Sequence, residues 1–126
     1  MSESTRWCIS EKRWLVHRTL IVARMNAEDE GAVAEVFAES DGTELPRLIG
    51  VSRRTLFRFH ELYFHLVEAD DDISGNLYRN RATALYQDIN TKLGQYISPY
   101  DPDWKEPKDA MANPFYVWTP EEGRVR

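Results

Sequence analysis

The pattern of hydrophobic and polar positions predicts a strand and then a helix at the start of the chain. Residues 14–25 (WLVHRTLIVARM) are rich in β-branched and apolar side chains, which is typical of a buried strand. Residues 27–40 place apolar side chains at helical spacing after a candidate N-cap, Asn26. Asp41-Gly42 is a typical helix end, so this second element is an amphipathic helix that stops at residue 40.

The middle of the chain predicts a β-hairpin. Residues 51–59 (VSRRTLFRF) and 62–69 (LYFHLVEA) both alternate like strands, and His60-Glu61 separate them. With an even-numbered loop, even positions of the first strand share a face with odd positions of the second. This register is favoured because it collects the large apolar side chains on the opposite face. These side chains are Phe57, Phe59, Leu62, Phe64 and Leu66.

The last third of the chain predicts one long helix and a final strand. A helical stripe begins after Asp70-Asp71-Asp72, which are interpreted as helix-capping residues, and ends at Gly94. Residues 98–114 predict a long irregular connection, and residues 115–119 (FYVWT) predict the fourth strand. The order β-α-β-β-α-β is typical of an α+β, ferredoxin-like fold, in which two helices cover one face of a four-stranded antiparallel sheet.

The chain has the size of one domain with short extensions. Residues 1–13 are polar and lack periodicity, so we interpret them as a flexible leader. Residues 14–120 then form the domain, and residues 121–126 form a polar tail. Because two helices cover only one face of the sheet, an apolar face is left bare, and this favours a second subunit. We therefore expect a homodimer.

Composition and charge exclude several classes of function. The 126 residues carry a net charge of −5, without the Lys/Arg surplus that a general nucleic-acid binder needs. No apolar run is long enough to span a bilayer, and no signal-peptide core is present, so we expect a cytoplasmic protein without a membrane partner. The single cysteine, Cys8, excludes an intramolecular disulfide and a cysteine-cluster metal site. Without a phosphate loop, CxxC or nucleophile elbow, we expect no nucleotide cofactor. His17 and His60 have the spacing of no zinc motif, so we expect no metal.

One face of the predicted hairpin carries the candidate chemistry. Arg54, Tyr63 and His65 share this face when the loop holds an even number of residues. A neutral imidazole can remove a proton from a carbon between carbonyls, and a guanidinium can stabilise the resulting enolate. A strand histidine is more often a structural residue, and an aspartate such as Asp41 before a glycine more often serves a turn. From the residues alone, the structural interpretation is therefore favoured.

Residues 42–72 (GTELPRLIGVSRRTLFRFHELYFHLVEADDD) resemble the tetracenomycin-type polyketide cyclases. The elements that carry the resemblance are TELP, LFRFH-x-LY-x-HL and EADDD, and similarity extends to RTLIVARM, LYQDINTKLGQYISPYDPDW and NPFYVWTP. The resemblance implies a dimeric α/β-barrel-type assembly of ferredoxin-like subunits without a cofactor. It also implies ring closure of poly-β-ketone intermediates in bacterial type II pathways, by intramolecular aldol condensation, dehydration and aromatisation.

The resemblance implies three active-site positions. Asp41, Arg54 and His65 match the family's proposed catalytic residues. A member of the family has a histidine immediately before this aspartate, whereas this chain has Ser40. Either Ser40 positions a substrate oxygen, or the chemistry rests on His65 and Arg54.

The expected roles of these residues follow from the aldol reaction. His65 assists removal of a proton from an activated methylene, and Arg54 stabilises the enolate and then the alkoxide. Asp41 orients a donor or shuttles the proton that is needed for loss of water. Tyr63 and Trp118 are expected to line the substrate pocket between helices and sheet.

Two other functions stay open at this point. A cofactor-free quinone-forming monooxygenase uses the same barrel and the same kind of substrate, and oxygen dependence would separate the two activities. A non-catalytic, chaperone-like subunit would bind the polyketide without converting it. Whether the substrate is free or bound to an acyl carrier protein also stays open, since Arg53, Arg54 and Arg58 could form a local basic patch.

Overall fold

The computed structural model describes residues 16–126. Its strands are β1 (His17–Met25), β2 (Val51–Phe59), β3 (Leu62–Ala69), β4 (Ile97–Pro99), β5 (Trp118–Thr119) and β6 (Gly123–Arg124). Its helices are α1 (Glu30–Asp41), α2 (Leu45–Ile49), α3 (Ser74–Asn80) and α4 (Ala84–Leu93), with 3-10 turns at Ala27–Asp29 and Pro107–Ala110. The predicted leader, residues 1–13, and Cys8 lie outside the described residues. Within residues 16–126, none of the helices is long and apolar enough to cross a membrane.

The first four strands form one antiparallel sheet with the order β2-β3-β1-β4. β1 lies in the middle, with Ile21 opposite His65 of β3. This is the strand order of a ferredoxin-like fold, in which strands distant in sequence become neighbours. The predicted α+β class and the four-stranded antiparallel sheet are confirmed.

The predicted hairpin is also confirmed. β2 and β3 have the predicted bounds, and Phe59 pairs with Leu62 across the two-residue loop. His60 in that loop adopts a φ of 55°, in the left-handed region that two-residue hairpin loops require. Leu56 lies opposite His65 and Phe57 opposite Phe64, so the side chains divide between the two faces as predicted.

The fourth strand is not where the sequence predicts it. The expectation that residues 115–119 complete the sheet is wrong, because β4 pairs with β1 at that edge. Only Trp118-Thr119 are extended, and they pair with β6 in a separate hairpin, which also contains residues of the predicted tail. β-propensity describes how well a segment fits a pleated surface and not which partner it takes. An edge strand can be very short, and it tolerates a proline such as Pro99.

The predicted long helix is divided into α3 and α4. Thr83 stands at the N-cap of α4, where its Oγ1 accepts a hydrogen bond from the Tyr86 backbone N–H at 3.4 Å. A threonine at this position satisfies an N–H group that the helix leaves free, so a new helix can begin there. α2 is a short helix where the sequence predicts a loop, with Pro46 in its first turn and Gly50 at φ 98° after its end.

One residue of the acidic run before α3 binds the first N–H group of that helix, although the N-cap position itself is Ile73 and has no side-chain capping bond. Asp72 Oδ1 accepts a hydrogen bond from the Ser74 backbone N–H at 2.9 Å, and this bond lowers the pKa of Asp72. Within the described part of the chain, no group of three or more His, Cys, Asp or Glu residues is arranged to hold a metal ion.

The hydrophobic core lies between the sheet and the helices. Its first cluster joins β1 and β3 to α1, and its buried members are Ala23, Met25, Val33, Phe37 and Tyr63. Its second cluster joins β3 to α2, and its buried members are Leu45, Ile49, Val67, Ala69 and Ile73. The strand residues in both clusters belong to the same face of the sheet, which we call the covered face; it also carries Arg54, Leu56, Arg58 and His65.

The opposite, open face of the sheet is apolar. It carries Leu20, Val22, Thr55, Phe57, Phe59, Leu62, Phe64 and Leu66. Phe57 and Phe59 are 50% and 62% exposed. At one end of this face, Glu68 forms ion pairs with Arg18 and Arg53. Arg53 therefore lies on the other side of the sheet from Arg54 and Arg58, and the three arginines do not form one basic patch.

Candidate active site

Asp41, Arg54 and His65 meet at the edge of the covered face. Arg54 lies in the edge strand β2, and His65 lies in the adjacent strand β3, on the same face. Asp41 is the last residue of α1, which packs over these strands through Val33 and Phe37. The alternation of the strands thus brings Arg54 beside His65, and the end of α1 brings the carboxylate above them.

Arg54 and Asp41 form a two-point ion pair. Arg54 Nε donates to Asp41 Oδ2 at 3.1 Å, and Nη2 donates to Oδ1 at 2.6 Å. The side chain of Arg54 is 15% exposed and that of Asp41 is 41% exposed. Parallel hydrogen bonds to both carboxylate oxygens fix the plane of the guanidinium. The pair therefore holds Arg54 in one orientation while its carboxylate partner stays accessible.

The third contact of Arg54 is with His65. Arg54 Nη1 lies 2.9 Å from His65 Nε2. Because arginine can only donate, Nε2 is the acceptor, and the neutral ring carries its proton on Nδ1. The lone pair that would make Nε2 a base is already engaged by the guanidinium.

His65 is buried, and its environment keeps it neutral. Burial and, to a smaller extent, the positive charge of Arg54 together lower its pKa to about 3. At neutral pH the imidazole therefore carries no charge.

Phe37 supports both side chains from α1. Its ring centroid lies 4.8 Å from the guanidinium carbon of Arg54 and 5.0 Å from the His65 ring, in an edge-on arrangement. An aromatic ring at this distance attracts a cation and excludes water from one side of it. Phe37 is a site residue that the sequence indicates only as part of the helical stripe.

The cluster can stabilise a developing oxyanion. Within residues 16–126, Arg54 uses three of its five N–H groups for Asp41 and His65. The N–H groups that remain on Nη1 and Nη2 can donate to a substrate oxygen. A fixed guanidinium of low exposure is more effective here than one in water, because it does not need to reorient. Asp41, the most exposed member, is the group that can exchange a proton with a substrate.

The three predicted substrate-binding residues lie in different parts of the structure. Tyr63 is buried in the first core cluster, with its ring centroid 6.2 Å from that of His65, and burial raises its pKa. Ser40 is half-buried in α1 beside Asp41, and its carbonyl accepts hydrogen bonds from the Thr43 N–H and hydroxyl groups. Trp118 is an exposed residue of the separate β5–β6 hairpin, so the chain does not place it in the covered face.

A second ion pair joins α1 to β2, and we call the space between this helix and this strand the groove. Arg58 of β2 donates from Nε to Glu30 at the start of α1, and from Nη1 to the His60 carbonyl at 3.0 Å. The sequence does not single out this pair, although Arg58 has the same strand parity as Arg54. Next to it lies a cavity of about 300 Å³, whose lining includes Leu56 and Tyr63.

The chain is similar to known proteins over most of its length. A family described as polyketide synthesis cyclase matches residues 17–119. Tetracenomycin F2 cyclase of Streptomyces glaucescens is 54% identical over 105 residues, which are 83% of this chain and 96% of that protein. Polyketide synthase CurG of Streptomyces cyaneus is 41% identical over 104 residues, 82% of this chain and 97% of that protein. The solved structure of the Streptomyces glaucescens cyclase, described as a type-II polyketide cyclase, superimposes with a TM-score of 0.78 at 55% identity, covering 82% of this chain and 97% of that chain.

Proposed function

Because this chain belongs to the family of polyketide synthesis cyclases, we propose that it closes a ring of an aromatic type II polyketide intermediate by intramolecular aldol condensation, dehydration and aromatisation. The observation that carries the proposal is the contact of Arg54 with Asp41 and His65 at the edge of the covered face. This contact provides a fixed cation and an accessible carboxylate next to a groove.

The proton transfer is assigned to Asp41. A methylene between two carbonyls loses a proton to a carboxylate oxygen of Asp41, and the electron pair of that C–H bond forms the enolate. Asp41 supports this role because its side chain is 41% exposed, and its two oxygens have lone pairs beyond those that accept from Arg54. The expectation that His65 is the base is not favoured, since its Nε2 already accepts from Arg54.

Stabilisation of the negative charge on the substrate oxygen is assigned to Arg54. Its remaining N–H groups donate first to the enolate oxygen. The enolate carbon then attacks a ketone carbon of the same molecule, and a C–C bond forms while the ketone oxygen becomes an alkoxide. Asp41 returns its proton to that alkoxide. Loss of the new hydroxyl group together with a neighbouring hydrogen releases one water and gives the aromatic ring.

His65 is a positioning residue in this proposal. It accepts from Arg54 Nη1 on the side away from Asp41, so the two contacts hold the guanidinium from opposite edges. A neutral acceptor is suited to this role because it carries no negative charge and therefore does not repel the enolate. Tyr63 and the apolar side chains around it hold the poly-ketone folded, and proximity of the two reacting carbons supplies a large part of the acceleration.

The proposed reaction needs no cofactor and no oxygen, and a conversion assay tests it. Purified protein is incubated under nitrogen with tetracenomycin F2, the compound in the name of the Streptomyces glaucescens relative. We expect a product lighter by one water, formed at the same rate in air. A product with an added oxygen atom would instead indicate a monooxygenase. Tight binding without conversion would indicate a chaperone-like subunit.

We also propose that the protein is a homodimer of the α/β-barrel type, in which the open faces of two sheets pack together. The support is the exposure of Phe57 and Phe59 among the aliphatic residues of this face. A contiguous apolar surface of this kind on a small protein marks an interface. A second copy of the chain offers the same apolar surface, so a two-fold contact is self-complementary.

A further inference from the structure

α1 runs alongside β2 in the opposite direction and is tied to it at both ends. One tie is the Arg54–Asp41 pair, and the other is the Arg58–Glu30 pair. Arg54 and Arg58 are four residues apart on one face of the strand, which corresponds to roughly 13 Å. The groove between helix and strand therefore runs between two arginines, separated by about the length of several fused aromatic rings, and a cavity lies at its Arg58 end.

The part of the groove next to Arg58 is apolar. The cavity of about 300 Å³ is lined there by Met25, Val33, Ala34, Leu56 and Tyr63, as well as by the Arg58–Glu30 pair. This volume is at the lower end of the range for small-molecule sites. Flat aromatic rings fit such a lining, whereas their oxygen substituents need polar partners at the edges.

Arg58 separates this cavity from a second one. A wider cleft of about 860 Å³ lies on the other side, and its lining includes Arg24, Glu61 and Tyr100. Among the residues that line the two spaces, Arg58 is the one they have in common. Arg58 thus stands where the two spaces meet.

The two arginines differ in how firmly they are held. Arg54 has two hydrogen bonds to one carboxylate and low exposure. Arg58 makes one such bond to Glu30, and the two side chains are 31% and 57% exposed. An exposed ion pair contributes about 1 kcal/mol or less, so Glu30 can be replaced as the partner of Arg58 at little cost.

We propose that Arg58 binds an oxygen substituent at the end of the polyketide that is remote from the reacting carbons, and that it thereby limits the length of substrate. This inference rests on the proposed function. Glu30 holds the guanidinium in place until the substrate oxygen takes over one of its N–H groups. Arg58 is then a specificity-determining residue, because it fixes which part of the chain lies next to Arg54.

Measurement of kcat and KM with tetracenomycin F2 as substrate tests the proposal. Arg58→Met keeps an unbranched, flexible side chain and removes its donors. We expect KM to rise about 10-fold or more, the value of one charge-assisted hydrogen bond, while kcat stays within about threefold. Arg53→Met, on the open face of the same strand, is the matched control and should change neither constant. An unchanged KM in Arg58→Met would overturn the proposal.

Equilibrium binding of two non-reacting probes separates this inference from the proposed function. Anthraquinone-2-carboxylate has a terminal anionic oxygen group, and 2-methylanthraquinone has a methyl group there. Quenching of protein fluorescence measures binding of each probe. We expect the wild type to bind the carboxylate about 10-fold more tightly than the methyl compound, and Arg58→Met to lose this preference. A preference that persists in Arg58→Met and disappears in Arg54→Met would refute the role of Arg58, whether or not the protein converts tetracenomycin F2.

Discussion

The two faces of the sheet are built from the same strands and have opposite properties. In β2, Arg54 points to the covered face, where Asp41 and His65 engage it, whereas Arg53 points to the open face, where it pairs with Glu68 at 3.7 Å. In β3, the buried His65 alternates with Phe64 and Leu66 on the open face. Because successive side chains of a strand point to opposite faces, the candidate catalytic residues lie on one face and the candidate interface residues on the other.

The difference shows why burial on one side is needed for the site. The helices remove water from Arg54 and His65, and this burial keeps the imidazole of His65 neutral. The open face has no such cover within residues 16–126; its exposed phenylalanines lie among aliphatic side chains, and the ion pairs of Glu68 lie at one end. We therefore expect substitutions on the covered face to change turnover and those on the open face to change assembly.

The largest effect is expected from removing the guanidinium of the site. Arg54→Met should reduce kcat by about 10²- to 10³-fold, the cost of losing an oxyanion donor. Initial rates with tetracenomycin F2 measure this, and circular dichroism checks that the variant is folded. Arg53→Met, its neighbour on the open face, should retain the wild-type rate within about twofold. Equal losses in the two variants would contradict the division of the faces.

The next effect concerns assembly. Phe59→Asp places a charge in the proposed interface of both subunits and should weaken dimerisation by about 10²-fold or more, since burial of each phenylalanine contributes about 1.5–3 kcal/mol. Sedimentation velocity across a concentration series measures the dissociation constant. Leu48→Asp, at an exposed position of α2, is the control and should leave the dimer intact. A wild-type protein that sediments as a monomer would exclude the proposed interface.

A smaller effect links His65 to the dependence of stability on pH. Its pKa of about 3 in the folded protein lies below the value of roughly 6.5 expected when it is unfolded. Between these values the unfolded chain binds a proton that the folded chain does not, so the contribution is complete above pH 6.5 and is lost as the pH falls. From pH 7.5 to pH 5 this amounts to about 2 kcal/mol.

Urea unfolding of the wild type and of His65→Gln at both pH values measures this contribution. The wild type should lose about 2 kcal/mol more than the variant, because the two proteins differ in ionisable groups only at residue 65. If both proteins lose the same free energy of unfolding, His65 is not held neutral in the folded state.

The smallest effect tests the positioning role of His65. His65→Gln keeps an acceptor for Arg54 Nη1, so its kcat should fall by less than about 10-fold, and His65→Leu should fall further. The pH–rate profile of the wild type should show no inflection between pH 6 and 7. A loss of about 10²- to 10⁴-fold in both variants would instead identify His65 as the base.

The parts of the molecule that local patterns determine could be predicted from the sequence. Alternation in residues 51–69 is sufficient to place Arg54 and His65 on one face, because strand geometry allows only two arrangements. The position of β4 could not be predicted, since three residues contain no periodicity. Its place in the sheet depends on the free edge of β1, which no local pattern describes.

The composition of the site could be predicted, but the roles of its residues could not. The resemblance indicates Asp41, Arg54 and His65, and the structure brings them together. The role of His65 depends on its burial under Phe37 and on the direction of Arg54 Nη1, and both arise from packing between distant segments. The Arg58–Glu30 tie likewise depends on how α1 lies along β2.

A crystal structure with an aromatic polyketide product bound tests the assigned roles of Arg54 and Asp41. We expect the rings in the groove between α1 and β2, with one product oxygen within hydrogen-bond distance of Arg54 Nη1 or Nη2 and Asp41 beside it. A product bound on the open face against Phe57 and Phe59, with Arg54 untouched, would refute these roles.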